Sequence, residues 1–138
     1  MPAATPRRRI DLRELGAIFA GGAIGGAIRT GLEQLAPARP GEWPWTTFAI
    51  NVFGSFLLGY LVTRLQERLP VTAYRRPLLG TGLCGALTTF SAFQLDLLHM
   101  LDHGRVWLAA LYAAGSIAAG LVGFVIGTNV VRQARFSW

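Results

Sequence analysis

Lysine is absent from the 138 residues, acidic side chains number seven, and cysteine occurs once, at Cys84. Each shortage excludes something. Charged residues make up only 14 %, where a soluble domain of this size carries about a quarter, and those present fall in short clusters between long uncharged runs. That distribution points to a membrane protein and not to an apolar-rich globule. A single cysteine inside an apolar run rules out an intrachain disulfide and gives no information on redox compartment. Aspartate, glutamate and arginine are missing from the middle of the last three apolar segments, so a deep titratable carboxylate, which proton-coupled antiport normally requires, is lacking there. No nucleophile–base pair or metal-ligand cluster stands out, which argues against an enzyme.

Arginine alone supplies the basic excess, thirteen residues for a net charge of +6. Such a charge is compatible with nucleic acid, but these arginines flank apolar segments, at Arg7, Arg8, Arg9 and Arg13, Arg64 and Arg68, Arg75 and Arg76, Arg132 and Arg135. Placement in the lipid headgroup region accounts for them without a polymer partner. The start of the chain superficially resembles a secretory signal, yet no small-x-small site followed by a polar domain appears, and the first apolar segment is read as retained.

Four segments are expected to span a bilayer: Leu15 to Leu35, Trp45 to Thr63, Leu78 to Met100 and Val106 to Val131. The last three have the roughly 20 apolar residues that ~30 Å of hydrocarbon demands at 1.5 Å per residue. Arg29 and Glu33 interrupt the first, four apart and so placed to neutralise each other on one helix face. Prolines and glycines break the short links. Trp43, Trp45, Tyr74, Trp107 and Trp138 fall at the segment ends, where amphipathic rings prefer the interface. The resulting division is a basic N-terminal segment (1–14), a membrane domain (15–131) and a short tail (132–138), in the bacterial cell membrane.

Ten arginines lie on the side shared by both termini and only Arg39 and Arg105 on the other, which favours cytoplasmic termini. Small residues at four-residue spacing supply packing seams: Gly21 with Gly25, Gly22 with Gly26, and Gly115, Ala119, Gly123 and Gly127. Four thin helices barely enclose a polar path, so pairing with a second chain is expected.

The polar groups expected at depth are neutral. Thr47, Asn51 and Ser55 follow at helical spacing as one stripe. In the third segment Gly80, Gly82 and Gly85, followed by Thr88 and Thr89, weaken the helix near mid-membrane. A break at that depth exposes carbonyls that protein or an ion must satisfy, although the same glycines are also suited to admitting a neighbouring helix. Phe90 and Phe93 project together just beyond, and Tyr112 with Ser116 extends the hydroxyl row. Ring edges and uncharged donors suit a small hydrated anion that must also be released. Asp96 and His99, one turn apart near the end of segment three, read as an interfacial pair.

Three motifs, GGAIGGAIR, NVFGSFLLG and above all GLCGALTTFSAF, carry a resemblance to the Fluc (CrcB-like) fluoride channel family from Gly21 to about Gly127. The resemblance implies passive fluoride efflux through an all-α, four-helix protein whose third helix is broken near mid-membrane, assembled as a dual-topology antiparallel homodimer with two pathways. It implies a structural, untransported Na+ held by main-chain carbonyls at positions matching Gly85 and Thr88. Phe90 and Phe93 match the pore phenylalanines and Asn51 the pore asparagine, while Thr47, Ser91, Tyr112 and Ser116 resemble the polar track. Arg29 matches an arginine near a vestibule. Some members are expected to carry a hydroxyl where this chain has Gly120. Dual insertion calls for balanced arginines, and the ten-to-two count departs from that. Two arrangements follow, a homodimer or a chain inserted one way with an oppositely oriented partner. The competing functions are a compact proton-coupled exporter of cationic drugs, with Glu14 and Glu33 at the edges of segment one as its carboxylates, and a non-transporting subunit that leaves the polar stripe unexplained.

Overall fold

The computed structural model describes residues 11–67 and 74–134. Most of the basic N-terminal segment (1–10), the residues 68–73 with Arg68, and the end of the tail (135–138, with Arg135 and Trp138) lie outside the described residues. Helix α1 is Leu12–Leu35, α2 is Trp45–Glu67, a π-helical stretch runs Pro77–Cys84, α3 is the single turn Gly85–Leu87, α4 is Phe90–Asp102 and α5 is Val106–Gln133. Four stretches, Leu12–Leu35, Trp45–Gln66, Pro77–Asp102 and Val106–Gln133, are long and apolar enough to cross a membrane. They contain the four segments expected from hydropathy and extend them by a few residues at most ends. The protein is all-helical and multi-pass.

Local chemistry sets the ends. Asp11 caps α1, its carboxylate accepting from the Arg13 amide at 2.9 Å, and Glu14 adds negative charge in the first turn. Pro37 ends the helix, and Pro44 restarts the chain by accepting from the Phe48 amide. The two turns on that side carry the positive-φ residues, Gly41 (φ 74°) and Gly104 (φ 70°), a conformation that costs little only without a Cβ.

Packing follows the glycine seams selectively. A methyl group on Gly21 would strike the Leu78 carbonyl and one on Gly25 the Leu83 carbonyl, so α1 lies backbone to backbone against the π-helical stretch. In the same way Gly59 of α2 faces the Phe124 carbonyl, and Gly127 of α5 faces the Phe56 carbonyl. Lipid offers no hydrophobic drive for helices to associate, so dispersion across such close contacts carries the bundle. The parallel pair Gly22 and Gly26 has nothing within 4 Å of an added Cβ.

The third span is assembled from three pieces. Pro77, lacking an N–H, begins the wide π-helical stretch, which passes into the turn Gly85–Leu87. Thr88 (φ −77°, ψ 144°) and Thr89 (φ −140°, ψ 116°) are extended, and helix resumes at Phe90 with the Thr89 hydroxyl accepting from the Ala92 amide at 3.2 Å. The extended pair lies close to halfway along Pro77–Asp102. Gly80, Gly82 and Gly85 remain helical. Gly82 is needed there for closeness, since a Cβ would meet the Ile18 carbonyl at 2.6 Å.

Candidate functional site: a polar groove at the threonine link

Asn51 of α2 reaches the extended link across 38 residues of sequence. Its Oδ1 accepts from the Thr89 amide at 2.9 Å and its Nδ2 donates to the Thr89 carbonyl at 3.3 Å. One side chain thus satisfies both main-chain groups of a residue that has left the helix, where an unpaired group costs about 1–3 kcal/mol. Thr88 turns its hydroxyl back to the Cys84 carbonyl at 2.9 Å, and its methyl lies where a Gly54 Cβ would be.

Beside this link a groove of about 290 Å³ is lined by Asn51, Ser55, Thr88, Thr89, Phe90, Phe93 and Ser116, with Leu58 and Ile117 as apolar wall. No lining residue is charged. The Phe90 and Phe93 rings sit with centroids 5.8 Å apart, and Phe93 leads on to Tyr112 at 5.3 Å. Phe90 is 71 % exposed. Ser55 donates to the Asn51 carbonyl at 2.8 Å. The Ser116 hydroxyl is buried and has no hydrogen-bond partner among the described residues. The groove therefore presents the remaining amide N–H of Asn51 and two aromatic rings, with the buried Ser116 hydroxyl behind its wall.

Other residues singled out from the sequence lie elsewhere. Thr47, 5 % exposed, lines a neighbouring cavity of about 240 Å³ with Glu33, Thr46, Ala92 and Asp96. Tyr112 is fully buried and donates to the Asp96 carboxylate at 3.3 Å. Asp96 thus connects Tyr112 with the cavity that Thr47 lines, and a third cavity links it to His99, Arg39 and Glu42. Ser91 touches the Thr89 hydroxyl at 3.1 Å and does not line the groove. Arg29 donates from Nε to the Ala86 carbonyl at 3.3 Å and from Nη1 to both oxygens of Glu33 at 3.1 Å. The predicted i, i+4 pairing of Arg29 and Glu33 is present.

For a cation, the carbonyls of Gly85 and Thr88 are the relevant atoms. Among the described residues neither accepts a hydrogen bond across the link, and an added Cβ at Gly85 would meet nothing within 4 Å. No group of three or more His, Cys, Asp or Glu suited to a metal occurs among the described residues. Sequence reasoning missed three residues here: Thr89, the one Asn51 holds; Asp96 as the partner of Tyr112; and Trp43, which packs edge-on against Tyr112 at 5.2 Å with a buried indole N–H that has no partner among the described residues. The signal available for Asp96 was a carboxylate inside an apolar run, one turn above Phe93.

The family described as CrcB-like protein, Camphor Resistance (CrcB), matches residues 16–128. The "Fluoride-specific ion channel FluC 1" of Mycolicibacterium paratuberculosis is 55 % identical over 125 residues, covering 91 % of this chain and 95 % of the relative. The "Fluoride-specific ion channel FluC" of Novosphingobium aromaticivorans is 44 % identical over 115 residues, 81 % of this chain and 90 % of the relative. The "Fluoride-specific ion channel FluC 2" of Nocardia farcinica is 38 % identical over 133 residues, 96 % of this chain and 94 % of the relative. By extent and identity, the chain belongs to the CrcB-like family, a family of ion channels and not of enzymes.

Proposed function

We propose that this protein is a fluoride-selective channel of the cell membrane, through which the ion leaves the cell passively and its cytoplasmic concentration falls. The observation that carries the reading is the groove of Asn51, Phe90, Phe93 and Ser116, which offers donors and aromatic rings with no charged lining residue. A small anion is the species such a surface suits. An amide N–H replaces part of its water shell, ring edges add positive quadrupole, and the lack of a fixed cation permits release. In this reading Thr47 continues the route through the adjoining cavity, with the Ser91 and Tyr112 hydroxyls held behind it by Thr89 and Asp96. The names of the relatives point to the same ion.

A dual-topology antiparallel homodimer completes the channel in this reading. Under a twofold axis in the membrane plane, only parts near mid-depth meet their own copies, and the Thr88–Thr89 link lies about halfway along its span. The exposed Phe90 ring and the bare Gly22–Gly26 face would then be covered by protein. A chain inserted one way with an oppositely oriented partner meets the same geometric condition, and the arginine imbalance favours that version.

The free carbonyls of Gly85 and Thr88 fit Na+, a hard cation that prefers neutral oxygen ligands. Two oxygens are too few for such an ion, so the pair from a second chain would complete its shell. When bound, the ion supplies fixed positive charge that ties two links together without being transported. Asn51 and the Cys84 carbonyl hold the threonines in place for this. Proton-coupled drug export finds no support in the family.

Purified protein in liposomes should release fluoride rapidly and chloride hardly at all. Equal leakage of both ions rejects selectivity, and release of neither rejects transport.

A further inference from the structure

The Arg29 guanidinium is spent on protein atoms. Nη1 meets both carboxylate oxygens of Glu33 at 3.1 Å, and Nε donates to the Ala86 carbonyl at 3.3 Å, 57 residues away. Ala86 lies between Gly85 and Thr88, in the last helical turn before the chain becomes extended. The final carbonyls of any helix lose their intrahelical partners, and here several such carbonyls stand in consecutive residues. Arginine at a helix C-terminus complements their partial negative charge. It takes the Ala86 carbonyl only, which leaves those of Gly85 and Thr88 without a donor among the described residues.

We infer that Arg29 is a positioning residue for the cation-holding carbonyls: its Nε–H fixes the Ala86 peptide plane, and Glu33 fixes and neutralises the guanidinium, so that Gly85 and Thr88 present their oxygens to Na+. The inference rests on the sodium reading above and gives Arg29 a task other than meeting an anion in a vestibule.

The chemistry requires both partners. A peptide plane at a helix end turns easily about its flanking single bonds, and turning the Ala86–Leu87 plane re-aims the adjoining Gly85 carbonyl and, through Leu87, that of Thr88. A donor fixed from another helix prevents this. An uncompensated guanidinium so close would repel a cation, and Glu33 cancels that field while holding the fork in register. Lysine cannot substitute. A single ammonium lacks the planar fork that serves a carboxylate and a carbonyl at once.

The test uses the full chain, purified in detergent and titrated with NaCl at constant ionic strength, N-methylglucamine replacing sodium. Thermal unfolding reports the sodium concentration that gives half-maximal stabilisation, and fluoride efflux from liposomes is measured alongside. Arg29→Lys and Glu33→Gln should each raise the half-maximal sodium concentration by about tenfold or more, the usual effect of removing a group that orients a metal ligand. At saturating sodium, fluoride efflux should return to within a few-fold of the unsubstituted protein. If the unsubstituted protein shows no sodium dependence, the sodium reading fails and the inference with it. If it shows one and neither variant shifts it, the inference alone is overturned. Glu33→Gln keeps Arg29 and its Ala86 bond, so it decides the matter should Arg29→Lys not fold.

Discussion

Replacing Asn51 with aspartate exchanges one nitrogen for oxygen and leaves shape unchanged, so its consequences can be worked out from two distances. The bond from Oδ1 to the Thr89 amide, 2.9 Å, survives. The donor to the Thr89 carbonyl at 3.3 Å is lost, and an acceptor now faces an acceptor. Loss of the bond and exposure of an unpaired carbonyl together cost about 2–4 kcal/mol of stability. The larger effect is on the ion. A carboxylate about 4 Å from a fluoride in the groove raises its energy by about 4 kcal/mol at an effective dielectric constant of 20, which corresponds to about 10³-fold lower occupancy. Asn51→Ala loses both Thr89 bonds but adds no charge, so it should destabilise the fold at least as much and retain more flux. A fluoride electrode following efflux from liposomes, with thermal unfolding of the same preparations, gives both quantities. Conduction by Asn51→Asp within threefold of the unsubstituted protein, at neutral pH and with the fold intact, would refute the placement of Asn51 on the ion's route.

Ser116→Ala removes a buried hydroxyl with no partner among the described residues, so unfolding temperature should hold or rise while fluoride efflux falls; a fall in both would mean that the hydroxyl serves packing. Phe90→Ile and Phe93→Ile should each reduce efflux with less than about 1.5 kcal/mol lost in stability, since the side chain stays apolar and the Phe90 ring is largely exposed; unchanged efflux in both variants would remove the rings from the route. Gly127→Ala drives a methyl into the Phe56 carbonyl and towards the Tyr60 amide at 2.9 Å, and should cost about 1–3 kcal/mol by unfolding. Gly120→Ala on the same helix, 3.4 Å from the Ser55 hydroxyl, should cost less, and the reverse order would contradict the α2–α5 packing.

The four spans were legible in the sequence because their causes are local. Apolar run length measured against bilayer thickness sets each helix, proline and glycine set the links, and aromatic residues mark the ends, so expected and observed limits differ by only a few residues. The Arg29–Glu33 pair was legible for the same reason, being one helical turn. The Thr47, Asn51 and Ser55 stripe was only partly so. Four-residue steps on a 3.6-residue helix drift by about 40° each, and after two steps the ends point different ways. Thr47 accordingly turns to Asp96 and its cavity, while Asn51 and Ser55 turn to the groove.

Tertiary structure decided which polar atoms are spent and which are free. Of the residues expected to weaken the third segment, Gly80, Gly82 and Gly85 stay helical, Gly82 alone of the three meeting α1 closely, and the chain becomes extended at Thr88 and Thr89. It does so because Asn51, 38 residues away, supplies the hydrogen bonds that the helix gives up at Thr89. Arg29 reaches Ala86 across 57 residues, and the Ser116 hydroxyl has no hydrogen-bond partner among the described residues. Composition and spacing fix what a helix can do alone; which donor meets which carbonyl depends on helices from distant parts of the chain brought within 3 Å of one another.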